Sequence, residues 1–354
     1  MGNGKQPGYR RRIYIIINIY LMNAFIKGIS VYLPEKILTN QDLLKDFPEW
    51  SVEKVASKIG ITERHIAGEN ETSSDMAVSA AEKLFEEYKI DRSSIDFVLF
   101  CTQSPDYFLP ASSCTIQSRL GLSTEAGALD FNQGCSGYIY GLSLAKGLIM
   151  AGISKNVLFI TSETYSKFIH PRDKSNRTIF GDAAAATLIS GDGFAEINGI
   201  SLGTDGRGAE NLIVRTGGMR KRTVMNDLVF DEGGNPVCSD NLFMSGTEIF
   251  NFTLETVPEL VARILDVNSL KQEDIDLFVF HQANKYMLEF LRKKLKIESD
   301  KFYYYMDKVG NTVSSTVPIA LKAAIDRKDI SPPGRVMIAG FGVGYSWGGA
   351  ILRF

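Results

Sequence analysis

The chain repeats itself. Segments SSIDFVLFCTQ (93–103) and QEDIDLFVFHQ (272–282) each run from a polar turn through an Ile-Asp pair into an apolar strand, and Ile95 and Ile275 lie 275 − 95 = 180 positions apart. Each follows an amphipathic stretch, SSDMAVSAAEKLFEEYKI in the first half, with Ser74 placed as its N-cap, and FNFTLETVPELVARILDV in the second. Each is followed by strand, turn and helix, and then by another apolar strand, NVLFITSE against RVMIAGFG, with Val157 and Val336 336 − 157 = 179 positions apart. Simple alternation of strands and helices would not hold that spacing. The repeat implies two similar α/β halves, 22–195 and 196–354, meeting at a seam. Ligand sites favour such seams and the carboxyl ends of strands.

With 354 residues, 44% of them hydrophobic, the chain can bury a core of this size. A net charge of −2 provides no basic field for nucleic acid, so that class of partner is excluded. Four cysteines, Cys101, Cys114, Cys135 and Cys238, form no CxxC pair, which argues against a metal site or a disulfide framework and for reduced thiols in a cytoplasm. Before the repeat, three arginines precede an apolar run from Ile13 to Met22. That run is broken by Asn18, falls short of the roughly 20 residues that span a bilayer, and lacks a small-residue cleavage motif. Residues 1–21 therefore read as an extension or an upstream-start artefact, with Met22 as the natural start and no membrane segment.

The reactive residues sit at corresponding turns. In LDFNQGCSGYIYG, Cys135 lies between Gly134 and Gly137 where an apolar strand gives way to a helix. Unpaired N–H groups and the helix dipole there would lower its thiol pKa below about 8.5. The alternative is a small residue in a close-packed helix with Gly141, Ala145 and Gly147; Cys101 and Cys114 suit that inert, buried role better. His281 ends the strand IDLFVF, whereas His65 and His170 lie in polar segments expected to be exposed. Asn311, in VGNTVSSTVP, opens the helix of the second half; alone it would read as a helix cap. Together these residues supply one nucleophile and two hydrogen-bond donors, a set suited to thioester chemistry. The closing AGFGVGYSWGGAILRF permits close backbone approach to a ligand or a tight hairpin. Segment 217–246 has no sustained period and reads as a long surface excursion capping the site.

Five motifs in order, DFNQGCSGY, FGDAAAATLI, HQAN, GNTVSSTVP and GFGVGYSWGGAILRF, identify a resemblance to β-ketoacyl-acyl carrier protein synthase III of the thiolase superfamily, running from Met22 to Phe354. The resemblance implies a duplicated thiolase-like α/β fold, two mixed sheets with helices in α-β-α-β-α layers. It implies that Cys135 takes an acyl group from acyl-CoA and that malonyl-acyl carrier protein then loses CO2 and attacks it. His281 and Asn311 would donate hydrogen bonds to the enolate oxygen, and His281 must be neutral. The backbone N–H groups of Cys135 and Val343 would form an oxyanion hole walled by Gly342 and Gly344, and Asn284 would orient the His281 loop. CoA and carrier-protein thioesters are substrates in this picture, with no separate cofactor, and the family is homodimeric.

Departures from the family pattern are informative. WSVEKVASKIGI is longer than the usual W-I-V-x-R-T-G-I, leaving Trp50 and Lys58 as candidate CoA contacts. Lys285 stands one position from the usual carrier-docking arginine, and Gly-Val-Gly replaces Gly-Gly-Gly, placing Val343 at the acyl-pocket wall. The longer excursion points to a specialised primer. A papain-like protease shares the order Cys, His, Asn but not its CGSCW signature. A non-catalytic partner subunit would tend to lack the cysteine or histidine. An acyltransferase to another acceptor would have little use for Asn311.

Overall fold

The computed structural model describes residues 23–47 and 51–354; the 1–21 extension, Met22 and Trp50 lie outside them. Nine strands make the main sheet: β1 (Phe25–Tyr32), β2 (Phe97–Cys101), β3 (Gly127–Phe131), β4 (Asn156–Glu163), β5 (Ala183–Ser190), β6 (Ala195–Thr204), β7 (Leu277–Phe280), β8 (Arg335–Gly342) and β9 (Ser346–Arg353). Their order is β7-β8-β9-β6-β1-β5-β4-β2-β3.

The duplication is written into the register. In the first half β2 runs parallel to β4 with Phe97 opposite Val157; in the second, β7 runs parallel to β8 with Leu277 opposite Val336. Strand β3 flanks β2, and an isolated parallel bridge from Phe278 to Phe302 takes the same place beside β7. Both halves then continue antiparallel, β4–β5–β1 and β8–β9–β6. The two expected mixed sheets are thus two half-sheets, joined edge to edge where Phe25 pairs with Glu196 and Ile26 with Ala195. The chain crosses from one half to the other between Ser190 and Ala195.

Six helices complete the layers: α1 (Ser73–Tyr88), α2 (Ser112–Arg119), α3 (Gly137–Met150), α4 (Gly246–Val267), α5 (Lys285–Lys294) and α6 (Thr316–Asp326). Strands covered on both faces have no polar side to present, which is why their sequences are near-continuous apolar runs. Along β4, Val157 and Phe159 face inward to the layer of α3 and α6, which also packs on Val279 and Ile338 of the other half. Leu158 and Ile160 face outward to Met76, Leu84 and Ile116 of α1 and α2. On the far side, Val257 and Leu260 of α4 and Leu288 and Leu291 of α5 cover Phe278, Phe280 and Met337. Each such side chain, fully buried, stabilises the fold by about 1.5–3 kcal/mol relative to exposure. The resulting sequence of layers is α-β-α-β-α.

Helix α1 begins two residues earlier than a Ser74 cap would allow. Its cap is Thr72, whose hydroxyl accepts from the Asp75 N–H while the Asp75 carboxylate accepts from the Thr72 N–H. Ser74 instead donates to Asp106. Cys101 is buried as expected, but Cys114 is exposed, because α2 turns that face outward.

Helix α3 lies unusually close to β4, since a Cβ on Gly141 would sit 2.0 Å from Phe159 Cζ. Gly141→Ala should therefore lower stability by about 1–3 kcal/mol through overpacking, despite alanine's better helix propensity. Thermal unfolding checks this; a Tm equal to or above that of the parent would contradict it.

Candidate active site

The turns that carry Cys135 and His281 leave the carboxyl ends of parallel strands. The chain exits β3 and turns at Cys135 into α3; it exits β7 directly into His281; and it reaches Asn311 just ahead of α6. The Cys135 and Asn311 turns are fastened to the opposite half, whereas His281 is held within its own, by Ala339 O and Thr316. The Ser136 hydroxyl, beside Cys135, lies 2.7 Å from the Ser346 hydroxyl of β9. Reciprocally, Ser314 and Ser315, close after Asn311, meet Glu163 at 2.8 Å and Thr161 at 2.8 Å, both on β4. As a result Cys135, His281 and Asn311 line one cavity of about 130 Å3, together with Phe180, Phe341 and Gly342.

Asn311 is locked at both ends. Its N–H donates to Ile179 O at 2.9 Å and its carbonyl accepts from Gly181 N at 3.0 Å. The side-chain Oδ1 accepts from Val313 N at 2.9 Å, so the amide NH2 is what remains for the cavity. Gly310, at φ +75°, supplies the left-handed turn this placement needs; a Cβ there would sit 3.0 Å from Ile179 O.

His281 is 2% exposed, and its Nδ1 lies 2.7 Å from Thr316 Oγ1. Burial pushes its pKa down to about 3, so the ring is neutral at physiological pH.

Cys135 departs from the sequence expectation. The residue is 6% exposed, and burial pushes the thiol pKa up to about 12, with the nearby Glu163 adding to the rise. Backbone N–H groups of Val343 and of Cys135 itself hydrogen-bond the sulfur and pull the other way, but desolvation wins. The helix-terminus argument omitted the apolar residues that close over the turn, namely Tyr165, Ile169, Phe180, Leu212, Leu242 and Val313. Glu163, fully buried, is itself pushed up to about 8 by burial while accepting from Gln103 N, Ser104 Oγ and Ser314 Oγ.

The remaining predicted site residues fall around this centre. Gly342 lines the cavity, and a Cβ on it would lie 2.9 Å from Cys135 Sγ. The Val343 side chain packs on Gly134, where a Cβ would meet it at 2.4 Å. Gly344 turns toward Ser346 and is not among the residues lining this cavity. Asn284 also lines the cavity and caps α5 through Met287 N at 2.9 Å, fixing the end of the His281 loop. Lys58 and Lys285 are both exposed, and the Lys285 stem packs over Gly60, two residues after Lys58. Trp50 lies outside the described residues. His65 and His170, expected on the surface, are half-buried: His65 Nδ1 meets Pro34 O and His170 Nδ1 accepts from Arg172 N.

The excursion is a surface feature whose stems alone reach the site. Residues Val229–Phe230 and Pro236–Val237 form an exposed two-stranded ribbon, whereas Leu242 packs in the cluster around Cys135 and Leu212 and Met244 line the cavity. Asp240 accepts from Met225 N, Asn226 N and Thr216 Oγ1, which folds the loop onto itself. Sequence reasoning missed Glu163, Ser314 and Thr316, although the hydroxyl run in NTVSST was a visible signal of polar partners to be found.

This duplicated, layered fold with a thiol, an imidazole and a carboxamide at its seam defines a condensing enzyme of the thiolase class. Residues 129–206 match the family described as 3-oxoacyl-[acyl-carrier-protein (ACP)] synthase III, and 265–354 match its C-terminal domain. The chain is 36% identical over 339 residues to a β-ketoacyl-[acyl-carrier-protein] synthase III of Caldanaerobacter subterraneus subsp. tengcongensis, covering 94% of this chain and 98% of that one. A crystal structure of a 3-oxoacyl-(acyl-carrier-protein) synthase III superposes with a TM-score of 0.92 at 48% identity, covering 94% of this chain and 100% of the other. A 3-oxoacyl-(acyl-carrier protein) synthase from Burkholderia xenovorans gives 0.86 at 35% identity, with 94% of each chain covered. The chain belongs to the β-ketoacyl-[acyl-carrier-protein] synthase III family.

A thiol held near pKa 12 is protonated at neutral pH, and its thiolate fraction rises about tenfold per pH unit below that value. Alkylation of ligand-free Cys135 by iodoacetamide should therefore keep rising through pH 9; a plateau near pH 7 would show a thiolate already formed.

Proposed function

We propose that the cavity condenses an acyl-CoA primer with malonyl-acyl carrier protein through an acyl group carried on Cys135, giving β-ketoacyl-acyl carrier protein, CoA and CO2, the initiating step of fatty acid synthesis. One observation carries the reading: a thiol, a neutral imidazole and a carboxamide whose oxygen is already occupied converge in one cavity.

In the first step Cys135 Sγ adds to the thioester carbonyl. The bond to the CoA sulfur breaks, and the thiol proton ends on CoA. The developing oxyanion meets the N–H groups of Cys135 and Val343, which favour negative charge at the sulfur. In the second step the malonyl C–CO2 bond breaks and its electron pair becomes an enolate, whose oxygen meets donors from His281 and Asn311. The enolate carbon attacks the acyl carbonyl, the C–Sγ bond breaks, and the departing thiolate takes a proton from water. The balance closes without another reagent. A neutral His281 donates a hydrogen bond without protonating the carbanion, which an imidazolium would do. Transfer to an alcohol or amine would not call for the carboxamide beside the imidazole.

The partners follow from the surface. Lys285 adjoins the cavity residue Asn284 at the start of α5, and with Lys293 and Lys294 at the far end of that helix it suits an acidic carrier protein. Lys58, near Lys285, remains a candidate CoA contact, as does Trp50. A homodimer is supported by the open edge of β3, at the end of the sheet, with Leu129 exposed, and by the exposed Tyr107, Phe108 and Leu109. The free thiols suit a cytoplasmic location.

Incubation with a panel of acyl-CoA thioesters should add one acyl mass to the parent protein and none to Cys135→Ala, by intact-protein mass spectrometry. His281→Ala and Asn311→Ala should keep the adduct yet lose about 10²–10³-fold in CO2 release from malonyl-acyl carrier protein. Unchanged release from either variant would remove that residue's assigned role.

A further inference from the structure

We infer that Thr316 is a positioning residue that sets the tautomer of His281: its hydroxyl donates to Nδ1 and so keeps the ring proton on Nε2, the nitrogen left for the cavity. The inference rests on the reading of His281 as a donor to the thioester oxygen.

A neutral imidazole carries one ring proton, so one nitrogen donates and the other accepts. Among the described residues, Thr316 is the hydrogen-bond partner of the His281 ring, with Nδ1 and Oγ1 2.7 Å apart and both side chains buried. The Phe341 ring stands edge-on to the imidazole at 5.8 Å and offers no acceptor. The Thr316 hydroxyl has one proton and two places to put it: His281 Nδ1 at 2.7 Å, or Val313 O at 3.1 Å, one turn earlier on its own segment.

The choice decides the chemistry of the cavity. With the hydroxyl proton on Val313 O, Nδ1 must hold the ring proton, and Nε2 would turn a lone pair toward an enolate oxygen, acceptor against acceptor. With the hydroxyl proton directed to Nδ1, Nε2–H and the Asn311 amide converge on that oxygen as two donors. The shorter contact is the one to Nδ1. Thr316 opens α6, five residues after Asn311, so a single short segment places one donor directly and sets the other through its hydroxyl. The neighbouring hydroxyls cannot substitute, since Ser314 bonds Glu163 and Ser315 bonds Thr161.

The test uses the full-length protein with 15N-labelled histidine, together with Thr316→Val, which keeps shape and removes the hydroxyl, and Thr316→Ser, which restores it. In the parent and in Thr316→Ser the His281 resonances should show a protonated Nε2 and an unprotonated Nδ1; a proton on Nδ1 in the parent overturns the inference. Thr316→Val should lose about tenfold or more in malonyl decarboxylation while its acyl adduct on Cys135 forms at the parental rate, and Thr316→Ser should recover decarboxylation. Equal losses in both half-reactions would mark a merely structural role and overturn it, as would parental decarboxylation by Thr316→Val. His281→Ala run alongside separates the two readings. If that variant also decarboxylates normally, the donor role of His281 fails; if it is inactive while Thr316→Val is not, only the Thr316 inference fails.

Discussion

The turns that carry Cys135 and Asn311 are each held by the half of the molecule they do not come from. Ser136 binds Ser346 across the seam, and Ser314 and Ser315 bind Glu163 and Thr161 in the opposite sense. A buried hydroxyl left unsatisfied costs about 1–3 kcal/mol, so these cross-seam partners contribute to holding the halves together. These partners exist only when the two half-sheets are in register around α3 and α6. The same bonds that complete the fold therefore set the spacing of thiol, imidazole and carboxamide, and the site is no more adjustable than the core beneath it.

Dryness governs the electrostatics. Within a few residues the protein buries a thiol, an imidazole and a carboxyl, and burial pushes each toward its neutral form: Cys135 up, His281 down, Glu163 up. Neutral groups in a low-dielectric cavity leave N–H dipoles as the field that charge developing on a substrate oxygen would meet, and such dipoles act more strongly there than in water. The resting sulfur gives up nucleophilicity for this arrangement. Its two backbone donors are the counterweight, since they favour negative charge at the sulfur and at an oxyanion beside it.

Much of this was legible in the chain because the duplication repeats hydrogen-bond register, not merely composition. Phe97 against Val157 and Leu277 against Val336 reproduce the spacing already visible between the two strand motifs. That spacing put Cys135 and Asn311 at equivalent strand-to-helix turns and His281 at a strand end on the seam. The direction of the Cys135 shift was not legible, because Leu212 and Leu242, both more than seventy residues away, close over it, and Leu242 does so from the 217–246 segment whose pattern looked irregular. The Ser74 cap was a misreading, because Asp75 completes a capping box with Thr72 and Asp106, far along the chain, takes Ser74 for itself. Glu163 and Thr316 were hidden for a related reason. A strand-terminal glutamate and a helix-opening threonine are ordinary until the opposite strand or the facing loop supplies a partner.

The close approach of Gly342 to Cys135 limits how the sulfur can be reached. With glycine backbone on one flank and the floor of α3 beneath, the cavity side is the open approach. On the proposed reading, a planar carbonyl arriving there would present one prochiral face to the sulfur and its oxygen to the Val343 amide. Its tetrahedral adduct would then form with a single handedness, and a covalent inhibitor would have to match that stereochemistry as well as carry a reactive group.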